Sequence, residues 1–160
     1  MKLALALVLL APLYGQDADA KLTIAGDITN PLTLTKADLA KLPRTSVSVK
    51  NEGSDEQTTY EGVLLYDVLK EAGAPVGKQL MGKALATYIL AEARDGYQVV
   101  FALPEIDPEF MGAQVVIADK RNGGPLDGPQ KPLQVIAPQD ELHARSMYSL
   151  TKIEVVRLRP

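Results

Sequence analysis

The stretch YEGVLLYDVLKEAG, residues 60–73, decides the fold, because a strand ends and a helix begins within it. Residues 58–60 are of types that favour strands. Four apolar residues then recur at the i, i+3, i+4, i+7 spacing of a helix with one buried face: Leu65, Val68, Leu69 and Ala72. Gly73 and Pro75 favour termination and predict the C-terminal end of this helix. The stretch therefore predicts a strand that leads directly into a core helix.

Towards the N-terminus, the sequence predicts two strands separated by a short helix. Residues 21–26 and 46–50 alternate apolar with polar side chains, which is the pattern of half-buried strands. Between them, Thr35 and Asp38 have the spacing of a helix-capping pair, and Pro43 predicts the end of the helix that they begin. A polar loop then leads to the strand and helix described above.

Towards the C-terminus, the chain is predicted to be mostly strand, with runs at residues 86–92, 98–103, 114–118, 133–137 and 153–158. Asp95-Gly96 lies between the first two runs and predicts a hairpin. Residues 104–110 favour a helical turn, and residues 119–131, rich in Gly and Pro, predict a long loop. The whole pattern predicts an α+β, β-rich single domain.

Composition limits the class of protein. The chain has 160 residues, of which 46% are hydrophobic and 23% are charged, so it is long enough to bury a core and does not have the composition of a disordered chain. The net charge of −3 and the absence of a basic half argue against a nucleic-acid partner. The chain has no cysteine, which excludes disulfides, thiolate metal ligands and cysteine nucleophiles.

The N-terminal segment has the pattern of a secretory signal peptide. A positively charged start is followed by an apolar run over residues 3–13 and then by small and polar residues. The run is too short to span a bilayer as a helix, and no later stretch is apolar enough to do so. Ala18-Asp19-Ala20 is the expected cleavage motif, with Gly15 as an alternative point; a buried N-terminal helix is the other interpretation. We therefore expect a signal peptide at 1–20 and an exported mature domain at 21–160, periplasmic or secreted.

Five short motifs occur in a fixed order along the chain: NPLTLT (residues 30–35), YEGVLL (60–65), DGY (95–97), PLQVIAP (132–138) and KIEV (152–155). In this order they resemble the molybdopterin-binding domain of sulfite-oxidase-like oxidoreductases. The resemblance covers nearly the whole predicted mature chain. It implies the sulfite-oxidase-type molybdopterin-binding fold, and molybdopterin as the cofactor.

The chain departs from that family at positions that matter for chemistry. In the family's enzymes, a cysteine thiolate at the end of the strand before the GVL segment ligates molybdenum, whereas this chain has VKNEG at residues 49–53. Lys50 is the expected occupant of the ligand position. An arginine of the family is replaced by Gln134, and Asp140 and Glu141 follow where the family has basic and aromatic residues. We therefore predict no catalytic residue.

Seven residues are candidates for contacting a cofactor-like ligand: Lys50, Asn51, Tyr97, Lys120, Arg121, His143 and Arg145. The resemblance places the four Lys and Arg side chains on loops at one end of the sheets, where the pterin's phosphate would bind, with backbone N–H groups of residues 122–124 nearby. The aromatic ring at position 97 is expected to form a pocket wall. For each candidate the alternative is an ordinary solvated loop residue or a tyrosine at the core edge.

No metal site is predicted. His143 is the only histidine, and the acids of the loop at 51–57 do not have the spacing of a calcium-binding EF-hand. A nucleophilic triad would need this same histidine, and no serine lies in a G-x-S-x-G motif.

These observations favour an exported, non-catalytic binding or accessory module that binds a pterin-like or other small anion or an envelope protein. The alternative is a molybdenum-cofactor-dependent oxidoreductase, or a subunit of one, without a cysteine ligand. A purely structural envelope protein is the third interpretation.

Overall fold

Ten strands and three short α-helices occur in the part of the chain that the computed structural model describes, residues 21–159. The strands, in chain order, are β1 (Lys21–Gly26), β2 (Leu32–Thr35), β3 (Arg44–Lys50), β4 (Gln57–Leu64), β5 (Thr87–Ala93), β6 (Gln98–Ala102), β7 (Val116–Arg121), β8 (Gly124–Pro125), β9 (Gln134–Ile136) and β10 (Leu150–Arg157). The helices are α1 (Lys36–Leu39), α2 (Leu65–Glu71) and α3 (Leu103–Ile106). The α+β, β-rich prediction is confirmed.

The strands form two sheets. The first has the order β2-β1-β10-β5-β6, in which β1 and β10 are parallel and the other neighbours are antiparallel. The second has the order β3-β4-β7-β8, and β9 also pairs with β7. The hairpin predicted around Asp95-Gly96 joins β5 to β6. Because β10 lies between β1 and β5, the last strand joins β1 and β2 to the hairpin of β5 and β6 in one sheet.

The core forms between these sheets and α2. As the spacing predicted, Leu65, Val68, Leu69 and Ala72 are all buried, at 0–1% exposure. They join a large cluster that includes Leu22, Ile89 and Phe101 of the first sheet and Val63 and Ile117 of the second. The capping pair is present as well: Thr35 Oγ1 accepts from the Asp38 N–H, and the Asp38 carboxylate accepts from the Thr35 N–H.

Gly62, in the YEGVLL motif, lies on β4 directly against the backbone of β7. A Cβ at this position would lie 2.0 Å from the carbonyl oxygen of Ile117, and the register of the two strands shifts between Glu61 and Gly62. Only a residue without a side chain fits there.

The prediction of a single long loop over residues 119–131 was wrong in its first half. Strand β7 continues to Arg121, and Asn122-Gly123 turns the chain tightly into β8, with Arg121 opposite Gly124. Both turn residues have positive φ, 49° and 78°, as a two-residue hairpin turn requires. Lys120 and Arg121 therefore lie on a strand and not on a loop.

The predicted signal peptide at 1–20 lies outside the described residues. Within residues 21–159, no helix combines the length and the apolar character needed to cross a bilayer.

Candidate functional site

Three adjoining cavities lie beside the second sheet, and His143 lines all of them. The loop cavity, about 620 Å³, is formed by the loop after β3 and by the segment after β9; its lining includes Lys50, Asn51, Glu52, Asp140 and His143. The inner cavity, about 100 Å³, is lined by Val49, Tyr60, Gln134, Ile136, Ser146 and Tyr148 besides His143. The tyrosine cavity, about 280 Å³, includes Tyr97 and Tyr148.

The structure brings together four of the seven candidate residues. Lys50, Asn51 and His143 line the loop cavity, and Tyr97 lines the tyrosine cavity with His143. Arg145 lies only two residues from His143 but lines none of the three cavities, and neither do Lys120 and Arg121 on β7.

The loop after β3 is held by its own polar groups. Lys50 Nζ lies 2.7 Å from the Asp55 carboxylate, and both side chains are largely exposed. The Asn51 side-chain oxygen accepts from the Thr58 hydroxyl at 2.8 Å, and the Asn51 N–H donates to the Glu56 carbonyl at 2.9 Å. Asn51 therefore closes the loop, while Lys50, the last residue of β3, contacts a carboxylate of that loop.

His143 and Tyr97 connect the cavities to neighbouring segments. His143 begins a one-turn 3₁₀ segment, and its Nδ1 lies 4.0 Å from Glu52 Oε1, across the loop cavity. Tyr97 donates its hydroxyl to the Ala144 carbonyl at 2.8 Å. Tyr97 thus lines the tyrosine cavity, and its hydroxyl anchors the 3₁₀ segment.

Arg145 makes the densest polar contacts of the region. Its guanidinium donates to Asp140 at 2.7 and 2.8 Å and to Glu105 at 2.8 Å, and it lies over the Phe101 ring at 4.6 Å from the centroid. The hydrogen bonds to Asp140, and then those to Glu105, raise the pKa of Arg145. The guanidinium is therefore committed to two carboxylates and is not available to an anionic ligand.

The two basic residues of β7 also have acidic neighbours. Lys120 Nζ lies 3.8 Å from the Glu61 carboxylate, and Arg121 Nη2 lies 3.7 Å from that of Asp127. All four cations that the sequence suggested for anion binding thus lie within 4 Å of a carboxylate.

The inner cavity contains residues that sequence analysis did not identify as a site. Gln134 is only 2% exposed, and its Oε1 has no hydrogen-bond partner among the described residues. Burial raises the pKa of Tyr60, and the charge of Arg121 acts in the opposite direction. The sequence identified Gln134 only as the residue that replaces an arginine of the family. No spacing pattern in the sequence indicated Tyr60, Ser146 or Tyr148 as site residues.

The residues around the loop cavity do not fit a molybdenum cofactor. The metal in this family needs a soft thiolate, and the cofactor's phosphate needs unpaired cations. Here the sequence contains no cysteine, and Lys50 is paired with Asp55. Four carboxylates, those of Glu52, Asp55, Asp140 and Glu141, line the same cavity. Over residues 21–159, no group of three or more His, Cys, Asp or Glu side chains is placed to hold a metal ion.

Comparison with known proteins agrees with the fold. The family model described as "Oxidoreductase molybdopterin binding domain" matches residues 11–159. No curated protein sequence matches this chain. The solved structure of the sulfane dehydrogenase SoxCD from Paracoccus pantotrophus is similar at a TM-score of 0.65 and 21% identity, over 88% of this chain and 39% of that one. Such a likeness shows the fold, and this chain spans well under half of that protein's length. The resemblance inferred from the motifs is confirmed, and the chain belongs to the family of oxidoreductase molybdopterin-binding domains.

Proposed function

We propose that this chain is a non-catalytic binding module built on the molybdopterin-binding fold. The observation that carries the proposal is the environment of Lys50, which takes the place where the resemblance puts a metal-ligating cysteine. An ammonium group offers no lone pair to a metal, and its charge repels one. The Lys50 ammonium lies 2.7 Å from the Asp55 carboxylate.

The charges around the cavities favour some ligand classes over others. Each candidate cation has a carboxylate neighbour, so an incoming anion would have to compete with a group already present. The loop cavity is rich in carboxylates. These features support a neutral ligand or a protein partner more strongly than a small anion.

An activity measurement tests this proposal. The protein is expressed in a host that makes the molybdenum cofactor, alongside a cysteine-bearing member of the family as a positive control. Sulfite oxidation and sulfoxide reduction are then followed with redox dyes. We expect turnover from the control and none from this chain, together with no molybdopterin in the extracted small molecules. Turnover well above the dye background would contradict the proposal.

Family membership supports a second candidate, a molybdenum-dependent oxidoreductase or a subunit of one. In that case the cofactor would be held without a cysteine. The similarity to part of a sulfane dehydrogenase is consistent with a role as one domain of a larger enzyme. The same assays, repeated in the presence of proteins that co-purify from the native host, distinguish this candidate from the first.

We also propose that the chain is exported and that cleavage leaves a mature N-terminus between about Gln16 and Lys21. The charged, apolar and small-residue order of the first twenty residues supports this. Intact-mass measurement of the protein from the envelope or medium tests it. A mass that retains Met1 in the exported fraction would contradict it.

A further inference from the structure

We propose that a further cavity, at one end of the first sheet, binds a small amphiphilic anion in which a carboxylate head group is joined to an apolar chain. This basic cavity is lined by Lys83, Ala86, Arg157, Leu158 and Arg159. It shares no lining residue with the three cavities beside the second sheet. The inference therefore concerns a separate site and goes beyond the proposed function.

Two chain segments that lie side by side form the basic cavity. Strand β10 ends at Arg157, which lies opposite Thr87 at the start of β5. The Leu158 N–H donates to the Ala86 carbonyl at 2.9 Å, so the pairing continues one residue beyond both strands. Lys83 lies in the 3₁₀ segment that leads into β5, Gly82–Ala86. Backbone hydrogen bonds thus hold the two segments together at the cavity.

The cavity has an excess of positive charge. Three of its five lining residues are cations and none is an acid. The Arg159 guanidinium is paired with the Asp27 carboxylate. Lys83 and Arg157, in contrast, form no ion pair with any residue from 21 to 159. Two positive charges therefore lie beside the cavity without an acidic partner in the described chain, unlike the cations beside the second sheet.

The wall of the basic cavity is apolar despite these charges. Almost all of its exposed surface belongs to carbon atoms. Long basic side chains can cover apolar surface with their carbon stems while the charged ends stay in water. Leu158 adds to this surface and is 62% exposed. The volume of about 480 Å³ is in the range of small-molecule sites.

An anion with an apolar chain is the complement of this arrangement. The chain covers the carbon wall and the Leu158 side chain, and removing such surface from water favours binding. The head group accepts charge-assisted hydrogen bonds from Lys83 and Arg157, which have no other anionic partner. An uncharged chain would leave these cations unpaired, and a small ion without a chain would leave the wall in water.

A free amphiphile fits the cavity better than an anionic membrane surface does. The chain carries a net charge of −3, which opposes its approach to a negatively charged bilayer. The acyl chains of a bilayer are also already buried against one another, so they gain little from the cavity wall. The ligand class is therefore a soluble carboxylate with an apolar chain.

The experiment is a calorimetric titration of the purified protein with three probes. Octanoate carries both the charge and the chain, octanol has the same chain without the charge, and acetate has the charge without the chain. We expect saturable binding of octanoate at concentrations at which it is monomeric, and at least tenfold weaker binding of octanol and acetate. Equal affinity for octanoate and either of the other probes would overturn the inference.

Two variants locate the binding, and a third is the control. Leu158→Asp places a negative charge in the wall and should lower octanoate affinity at least tenfold. Lys83→Met keeps the stem, removes the charge and should weaken binding several-fold. Both residues are exposed, so both variants should fold. Lys78→Met makes the same change at an exposed lysine that does not line the cavity, and it should bind as wild type does. Unchanged octanoate affinity in either cavity variant would refute the assigned site.

A sedimentation assay with lipid vesicles tests the membrane as the other source of such a ligand. We expect the protein to sediment no more with phosphatidylglycerol vesicles than with uncharged phosphatidylcholine vesicles. Sedimentation with phosphatidylglycerol that Leu158→Asp abolishes, in a protein that does not bind octanoate, would assign this surface to a membrane and overturn the inference.

Discussion

The two buried clusters of this domain differ in size and in what surrounds them. The main core contains large side chains from both sheets and from α2, among them Leu69 and Phe101. The outer cluster, on the other face of the second sheet, consists of Val47, Val49, Val116, Ala118 and Ile136. The inner cavity lies against this outer cluster, through Val49 and Ile136. The comparison places the largest buried side chains in the main core, and it places the inner cavity beside the smaller outer cluster.

The largest effect is expected in the main core. Leu69 is fully buried on α2, so Leu69→Ala should lower the free energy of unfolding by about 2–5 kcal/mol, the usual range for a deleted core leucine. Denaturant unfolding measures the change. A midpoint equal to that of wild type would mean that α2 does not anchor the core.

A smaller loss of stability is expected at the contact between α3 and the segment after β9. Arg145 joins Glu105, at α3, to Asp140, in the segment after β9, and both carboxylates are less than 20% exposed. Arg145→Met keeps the stem over Phe101 and leaves the two acids without their cation. This should cost about 1–3 kcal/mol at neutral pH, because polar groups in a partly buried position lose their partner. If the variant is as stable as wild type, this contact does not hold the two regions together.

A matched pair of valines compares the two clusters directly. Val49→Ala in the outer cluster should cost about 1.5 kcal/mol, since each buried CH₂ contributes roughly 0.8 kcal/mol. Val63→Ala in the main core makes the same change at 1% exposure and should cost more, because the void is surrounded by packed side chains on every side. Equal losses, or a larger one at Val49, would contradict the distinction between the clusters.

The smallest effect concerns the start of α1. Hydrogen bonds from Lys41 and then from Thr35 lower the pKa of Asp38 below its usual range. A lowered pKa in the folded state stabilises the protein above the carboxyl's ordinary pKa, and the contribution is lost as the pH falls. Asp38→Asn should therefore be less stable than wild type at neutral pH and approach it at low pH. A stability difference that stays constant from pH 7 to pH 2 would show that the charge has no part in the cap.

The sequence predicted the fold better than the site because the fold depends on local patterns. The spacing of Leu65 and Leu69 was sufficient to identify α2, and Asp95-Gly96 was sufficient to identify a hairpin. Asn122-Gly123 is also a hairpin signal, but the Gly and Pro content of residues 119–131 led to the prediction of a loop.

The site depends on contacts between residues that are far apart in the chain. Arg145 has one partner nearby in the chain, Asp140, and a second, Glu105, that is 40 residues away and that the sequence did not indicate. Gln134 was visible as a substitution, but the lack of a partner for its oxygen is a property of the folded chain alone. Such pairings leave no spacing pattern in a single sequence.

The stoichiometry of molybdenum tests the central claim most directly. The protein is purified from a host that makes the cofactor, and molybdenum per chain is measured by elemental analysis beside a cysteine-bearing member of the family. We expect far less than one molybdenum per chain here and close to one in the control, because no thiolate is present and the cavity is rich in carboxylates. A value close to one in this protein would contradict the account.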